Sequence, residues 1–335
     1  MVKYIAKRIL LIPVLLILVS MLTFWLVNLN TYEVAYTVLG STATPETVAA
    51  WNAEHGLDKP EIVQYFNYLA GIVTRLDFGV SYRSGVSVAS KVGAAIMPTV
   101  KVSMLGFLVT VVFGIPLGVL CAVKQDTLAD KSISLISMAL TAVPPFLWGI
   151  VLMLVFSVKL KWLPSMGLTS WKHYIMPILA GSLPGLTVFI RFTRSAMLDT
   201  ISQSYIRTSR SKGNSEMRVI FGDALANAML PIAAFVGSIL ASVMAASVVI
   251  EKVFSINGIG MTIISAISTK DTPVIMGCVL FLSAYYIVVT ILVDIAFTFI
   301  DPRVKASFIG GKRGRRTARE DEKRAGEAAE KEVRQ

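Results

Sequence analysis

The chain has 335 residues, 55% hydrophobic and only 16% charged, with a mean hydropathy of +0.68. That balance excludes an ordinary soluble domain, in which about 25% of residues are charged, and predicts an all-α polytopic membrane protein. The formal charge of +11 comes from basic residues in connecting segments and the C-terminal stretch, not from one aromatic-lined groove, so no nucleic-acid partner is expected.

A hydrocarbon core about 30 Å thick requires about 20 apolar residues in a helix. The first such run is Ile9 to Leu29, behind Lys3, Lys7 and Arg8. It resembles a signal peptide in its charge, but its core is too long and no A-x-A site follows, so a retained helix is expected over residues 1–29. Residues 30–95 read as a folded external insert. Thr44 offers an N-cap, Pro45 the first helical position, Glu46 a first-turn acid and Gly56 a stop, and a second helix starts near Pro60. Ile62, Tyr65, Phe66, Leu69 and Ile72 follow at helical spacing. Two roles stay open for the insert, a cap on the helix ends and a docking surface for an extracytoplasmic partner.

Five further spans are predicted at about Val100 to Val123, Ile133 to Val158, Tyr174 to Phe192, Met229 to Ile250 and Val274 to Ile300. Pro116, Pro144, Pro145, Pro177, Pro184 and Pro231 fall in or at the ends of spans, as kinks or as shapers of a path. Cys121 and Cys278 fall near opposite membrane faces, and His55 and His173 are isolated, so neither a disulfide nor a metal site is expected. Asp294 lies inside the sixth span and Glu251 ends the fifth. Ionisable residues at such depth face the interior, either pairing structurally or lining a path, and both readings stand.

The charges orient the spans. With both termini cytoplasmic, about 22 of the 32 basic residues lie inside, half of them in the tail. Lys159, Lys161 and Lys172 run against the rule. Residues 301–335 mix charges with few apolar residues and are expected to be disordered, with anionic membrane lipid as a contact.

Between the fourth and fifth spans lies a polar, basic island, residues 200–228, holding "RTSRSKGNSEMRVIFGDALANA". Its first half reads as a short helix ending at Lys212, with Gly213 as a left-handed cap. Its second half reads as another short helix, capped by Asn214 or Ser215 with Glu216 in the first turn. Two such helices make a rigid corner with Arg207, Arg210, Lys212 and Arg218 outward and Val219, Ile220, Ala224, Leu225 and Ala228 packed back on the bundle.

"YIRTSRSKG" followed by "ALANAMLP", with "HGLDKPEIVQYFNYLAGIVTRLDFGVSYRSG", "VFSINGIGMTIISAISTKDTPVIMG" and "ILVDIAFTFIDPRVK", resembles the inner-membrane permeases of ABC importers, in the dipeptide, oligopeptide and nickel branch. The resemblance implies a type I ABC importer transmembrane fold of six helices over residues 96–300 and the first helix, in a multi-pass protein of a bacterial or archaeal cytoplasmic membrane. It also implies partners: a second homologous permease, two ABC ATPase subunits and an extracytoplasmic solute-binding protein. By position, Arg207, Thr208 and Ser209 occupy the place of the Glu-Ala-Ala of ABC importers in general, and Gly213 that of their shared glycine. Ser215, Glu216, Leu230 and Pro231 complete the ATPase-coupling set. The absent glutamate and the longer distance to Leu230 and Pro231 depart from the general pattern, so no salt bridge carries over from glutamate-containing relatives. The family implies no catalytic residue, cofactor or metal in this chain. Peptide is the expected cargo and nickel the alternative. An ion-coupled secondary transporter working through Glu251 and Asp294 would need an internal repeat that the halves do not show.

Overall fold

The computed structural model describes the backbone of residues 2–29 and 34–300, with side chains for 8–29 and 34–297; the charged stretch 301–335 lies outside the described residues. Everything described is helical apart from turns, loops and one isolated antiparallel bridge between Val80 and Ser87. Helix α1 (Val2–Asn28) is followed by the insert helices α2 (Val34–Leu39), α3 (Pro45–Glu54) and α4 (Glu61–Arg75). The remainder comprises α5 (Val88–Val123), α6 (Leu128–Ala142), α7 (Pro145–Leu152), α8 (Lys172–Ile201), α9 (Ser204–Ser211), α10 (Leu225–Ala246), α11 (Val248–Val253), α12 (Ile259–Ser268) and α13 (Thr272–Ile300). Two π-helical stretches, Met153–Lys159 and Arg218–Ala224, continue α7 and precede α10.

The insert forms as its local signals dictate. Thr44 accepts a hydrogen bond from the Thr47 N–H (3.3 Å), Pro45 opens α3, and Gly56 turns the chain at φ +68°. Pro60 then starts α4.

Five described helices are long and apolar enough to cross a membrane: Arg8–Asn28, Val88–Val123, Lys172–Ile201, Arg218–Val253 and Thr272–Phe297. The third expected span differs. Leu128–Ala142 and Pro145–Lys159 form a pair bent by 95°, not one straight helix from Ile133 to Val158. The cause is Pro144-Pro145. A residue before proline is forced out of the α region, and Val143 is extended at ψ 126°. The Trp148 indole N–H donates to the Leu140 carbonyl (3.0 Å) across the break, satisfying a helix-end acceptor.

The fifth span also departs from expectation. Its helix begins at Arg218, so the second arm of the basic corner is the start of the span itself and not a separate short helix. Buried Val219, Ala224, Ala228 and Ile232 are spaced by five, four and four. An α-helix would swing the first of these off the core face, and a π stretch with i→i+5 bonding keeps it there.

The centre of the bundle is the crossing of α5 with α8. Gly114 and Gly118 are separated by one turn, and a Cβ on either would lie 2.6 Å from the Cβ of Phe189 or Thr193. Only glycine permits that approach, which is the small-xxx-small packing by which membrane helices gain contact without hydrophobic driving force. α1 packs along α13, where Arg8 and Asp294 form an ion pair. Asp294 therefore stands in an interhelical pairing within the span.

Candidate functional site

The basic corner grows from the end of α8. Gln203, extended at ψ 150°, redirects the chain into α9, which buries Ile206 completely and leaves Arg207, Thr208 and Arg210 outward. The Lys212 N–H bonds to the Thr208 carbonyl (3.1 Å) and the Gly213 N–H to that of Arg210 (2.9 Å), with Gly213 at φ +81°. A Cβ there would meet nothing within 4 Å. Conformation, not space, selects glycine.

Side chains then tie the two arms together. Ser209 Oγ donates to Asp223 Oδ2 (2.5 Å), and Asn214 Nδ2 donates to Ser209 Oγ (2.9 Å). Arg210 Nε and Nη2 reach Glu216 Oε1 and Oε2 (2.8 and 3.3 Å). That pair is exposed and worth about 0.2–1 kcal/mol. The Ser215 carbonyl accepts from the Val219 N–H (3.0 Å) to start the return arm. Leu230 and Pro231 sit on an exposed face of α10, not at the corner.

Asn214, expected as a cap, instead donates its amide to Ser209 across the corner, and the sequence reading missed Asp223 and the exposed Tyr205, Met217 and Phe221 beside it. Hydroxyl, amide and carboxylate at these spacings carried no signal until the arms were folded together. The base of the corner is firm: Ile206, Val219, Ala224, Ala228 and Ile232 share one apolar cluster with Met197 of α8 and Val119 and Ala122 of α5. A force on the corner is thus delivered to the ends of α5, α8 and α10 together, because close-packed interiors transmit strain.

Above the corner, Arg194 of α8 grips Asp130 of α6 through two parallel bonds, Nε to Oδ1 and Nη2 to Oδ2, both 2.8 Å. Asp130 also accepts from the Asp126 N–H (3.0 Å) and is 3% exposed. Unlike Arg207 and Arg210, which point outward, Arg194 turns inward. Removing one partner of a buried pair costs about 3–5 kcal/mol. Since Arg194 retains some access to water, Asp130→Ala is expected near the low end, about 3 kcal/mol. A thermal melt of the purified protein reads this out, and an unchanged midpoint would show that the pair is not holding α6 to α8.

Glu251 occupies the other notable seat. It is fully buried and accepts from Thr99 Oγ1 (2.6 Å), Ser247 Oγ (2.9 Å) and the N–H groups of Gly260 (2.8 Å) and Met261 (3.2 Å). Thr99 Oγ1 accepts in turn from the Ile259 N–H (2.8 Å). The carboxylate therefore satisfies the open N-terminal turn of α12, as an acid at a helix start should. Gly258 and Gly260 are required beside it: a Cβ on Gly258 would lie 2.4 Å from both Glu251 Oε2 and Thr99 Oγ1.

The insert is anchored by a third carboxylate. Asp271, before α13, accepts from Ser81 Oγ (2.5 Å) and the Tyr82 N–H (3.1 Å), with Lys91 Nζ 4.0 Å away. Burial, and secondarily the Asp271 charge, push the Tyr82 phenol up to about 12. The Tyr82 ring meets the stacked rings of Trp51 and His55 edge-on, at 5.5 Å from each.

Residues 114–306 match the family model described as binding-protein-dependent transport system inner membrane component, and residues 1–103 match the N-terminal model of the same system. The glutathione transport system permease protein GsiC of Escherichia coli (strain K12) is 34% identical over 306 residues, covering 91% of this chain and 99% of that protein. GsiC of Salmonella typhimurium (strain LT2) matches to the same extent. Among solved structures, the inward-facing MetNI methionine ABC transporter aligns with a TM-score of 0.48 at 16% identity, covering 62% of this chain and 94% of that one.

Proposed function

The chain belongs to the family of binding-protein-dependent transport system inner membrane components, and on that premise we propose that it is the pore-forming permease of an ATP-driven importer for di- or oligopeptides. As a multi-pass inner-membrane protein of an ABC importer, it carries cargo that a separate protein delivers and moves on energy that other subunits supply. The complex consists of this chain, a second homologous permease, two ATPases and an extracytoplasmic binding protein. ATP hydrolysis belongs to the ATPases, and this chain performs no covalent chemistry.

The observation that carries the reading is the braced corner. Arg207, Thr208, Ser209, Gly213, Ser215 and Glu216 form a projection whose two arms are pinned by Ser209, Asn214 and Asp223 and whose base is shared by three spans. A loop that served only to obey the charge rule would need no such bracing. Docked on an ATPase at the cytoplasmic face, the projection converts ATPase closure into rigid-body motion of the bundle, an accepted form of coupling. Leu230 and Pro231 lie on an exposed face of α10, in the span that leads from the corner into the bundle. Residues 1–29 form the first span, 30–95 the external insert, 96–300 the transport domain with its coupling loop at 200–228, and 301–335 a cytoplasmic tail. The peptide cargo is supported by the glutathione permease relative, glutathione being a short peptide.

The test is extraction of the tagged chain from native membranes in mild detergent, with mass spectrometry of what co-purifies and of the ligand held by the binding protein. A second permease, two ATPases and a peptide ligand are expected. Recovery of the chain alone, where a control importer stays intact, would overturn the coupling role. A nickel-loaded binding protein would overturn the cargo alone.

A further inference from the structure

A crevice of about 470 Å³ opens between α1, α4, α5 and α13. Ile17, Ile72, Ala89, Gly93, Gly277 and Phe281 are among its walls. Its cause is legible in the packing. α1 lies along α13, and α4 is pinned to α1 by the Tyr65 hydroxyl, which reaches Ser20 Oγ (2.9 Å) and the Ile17 carbonyl (3.0 Å). Small residues on α5 leave the space between unfilled: a Cβ on Gly93 would meet nothing within 4 Å. At the floor α5 and α13 close tightly, since a Cβ on Gly277 would lie 2.3 Å from Val88 Cγ1.

The walls are dry. The one polar side chain among them, Ser20, has its hydroxyl engaged by the Ile17 carbonyl (2.9 Å) and Tyr65. Water finds no partners there, and an empty apolar void forfeits dispersion contacts along its whole lining. Three of the four walls are membrane-spanning helices. The fourth, α4, exposes Ile62, Phe66 and Val73 along one stripe continuous with Leu69 and Ile72, which face the crevice. Such a stripe belongs to a helix lying against the acyl region of a bilayer. α1 leaves Leu10, Leu18 and Leu22 exposed beside it, so the mouth of the crevice opens onto hydrocarbon.

We propose that the crevice holds one acyl chain of a bilayer phospholipid, which splints α4, and with it the external insert, to α1, α5 and α13. A flexible, unbranched hydrocarbon chain is the occupant that apolar walls enclosing about 470 Å³ and open to the bilayer would take. The proposal rests on the chain's place in the membrane and not on its cargo, so it survives a change of cargo assignment.

The experiment uses membrane vesicles carrying the whole complex, doped with a phosphatidylglycerol whose acyl chain bears a diazirine, followed by photolysis and mapping of labelled peptides. Label is expected on the segments around Gly93 and 277–284. Gly93→Leu places a side chain in the crevice from a position where a Cβ meets nothing within 4 Å and replaces glycine by a better helix former; it should reduce that label severalfold while label on Leu18 and Leu22 stays constant. Ala89→Phe, filling from the next turn, should do the same. Crevice labelling indifferent to both variants would overturn the proposal, as would cysteine cross-links from position 93 to another subunit.

Discussion

Gly213→Pro is expected to leave the chain in the membrane at normal abundance and to cut cargo uptake at least about tenfold, because a mispositioned corner of about 3 kcal/mol is roughly two decades in population. Three features set that size. The native φ of +81° is closed to proline, whose ring holds φ near about −65°. Lys212, at φ −78° and ψ 1°, sits in the region that a following proline disfavours. The Gly213 N–H, which bonds to the Arg210 carbonyl, would be gone. Gly213→Ala removes none of the space and keeps the N–H, so only the left-handed strain of about 1–2 kcal/mol remains. The expected order of uptake is Gly, then Ala, then Pro. Uptake of a labelled dipeptide, normalised to membrane-resident protein, tests the order, and normal transport by the proline variant would remove the corner from the coupling path.

What the sequence disclosed was what short-range chemistry controls. Thr44, Pro45 and Gly56 bracket α3, Pro60 opens α4, and Gly213 turns left-handed, each for reasons contained within a few residues. The Pro144-Pro145 break was visible as a kink but not as a 95° bend, since the angle depends on what α7 packs against. The buried polar seats were opaque for another reason. Thr99 meets Glu251 across 152 positions, Ser81 meets Asp271 across 190, and Arg194 meets Asp130 across 64. No local pattern distinguishes Arg194 from its outward neighbours Arg207 and Arg210; only the close crossing of α5 and α8 and the docking of α6 on α8 turn it toward a carboxylate.

Glu251→Ala is the second large effect, expected to lower the melting midpoint and the steady-state amount of the complex, not to alter cargo preference. The N–H groups of Gly260 and Met261 lie in the first turn of α12, where no preceding carbonyl is within helical reach. Without the carboxylate both are unpaired, the buried Gly260 N–H at about 1–3 kcal/mol and the part-buried Met261 N–H at less. Glu251→Gln should fall between: its amide oxygen accepts from one side of the seat, but its NH2 confronts donors on the other. The neighbouring glycine gives a sharper test. Gly258→Ala pushes a methyl into the same carboxylate and into Thr99, so each single change damages one shared seat. Residues in one hydrogen-bond network are not independent, and the double variant should melt little below Glu251→Ala alone. Strictly additive losses would mean that Glu251 and Gly258 act separately, and altered cargo selectivity in a fully stable Glu251→Ala complex would place the carboxylate on the transport path instead.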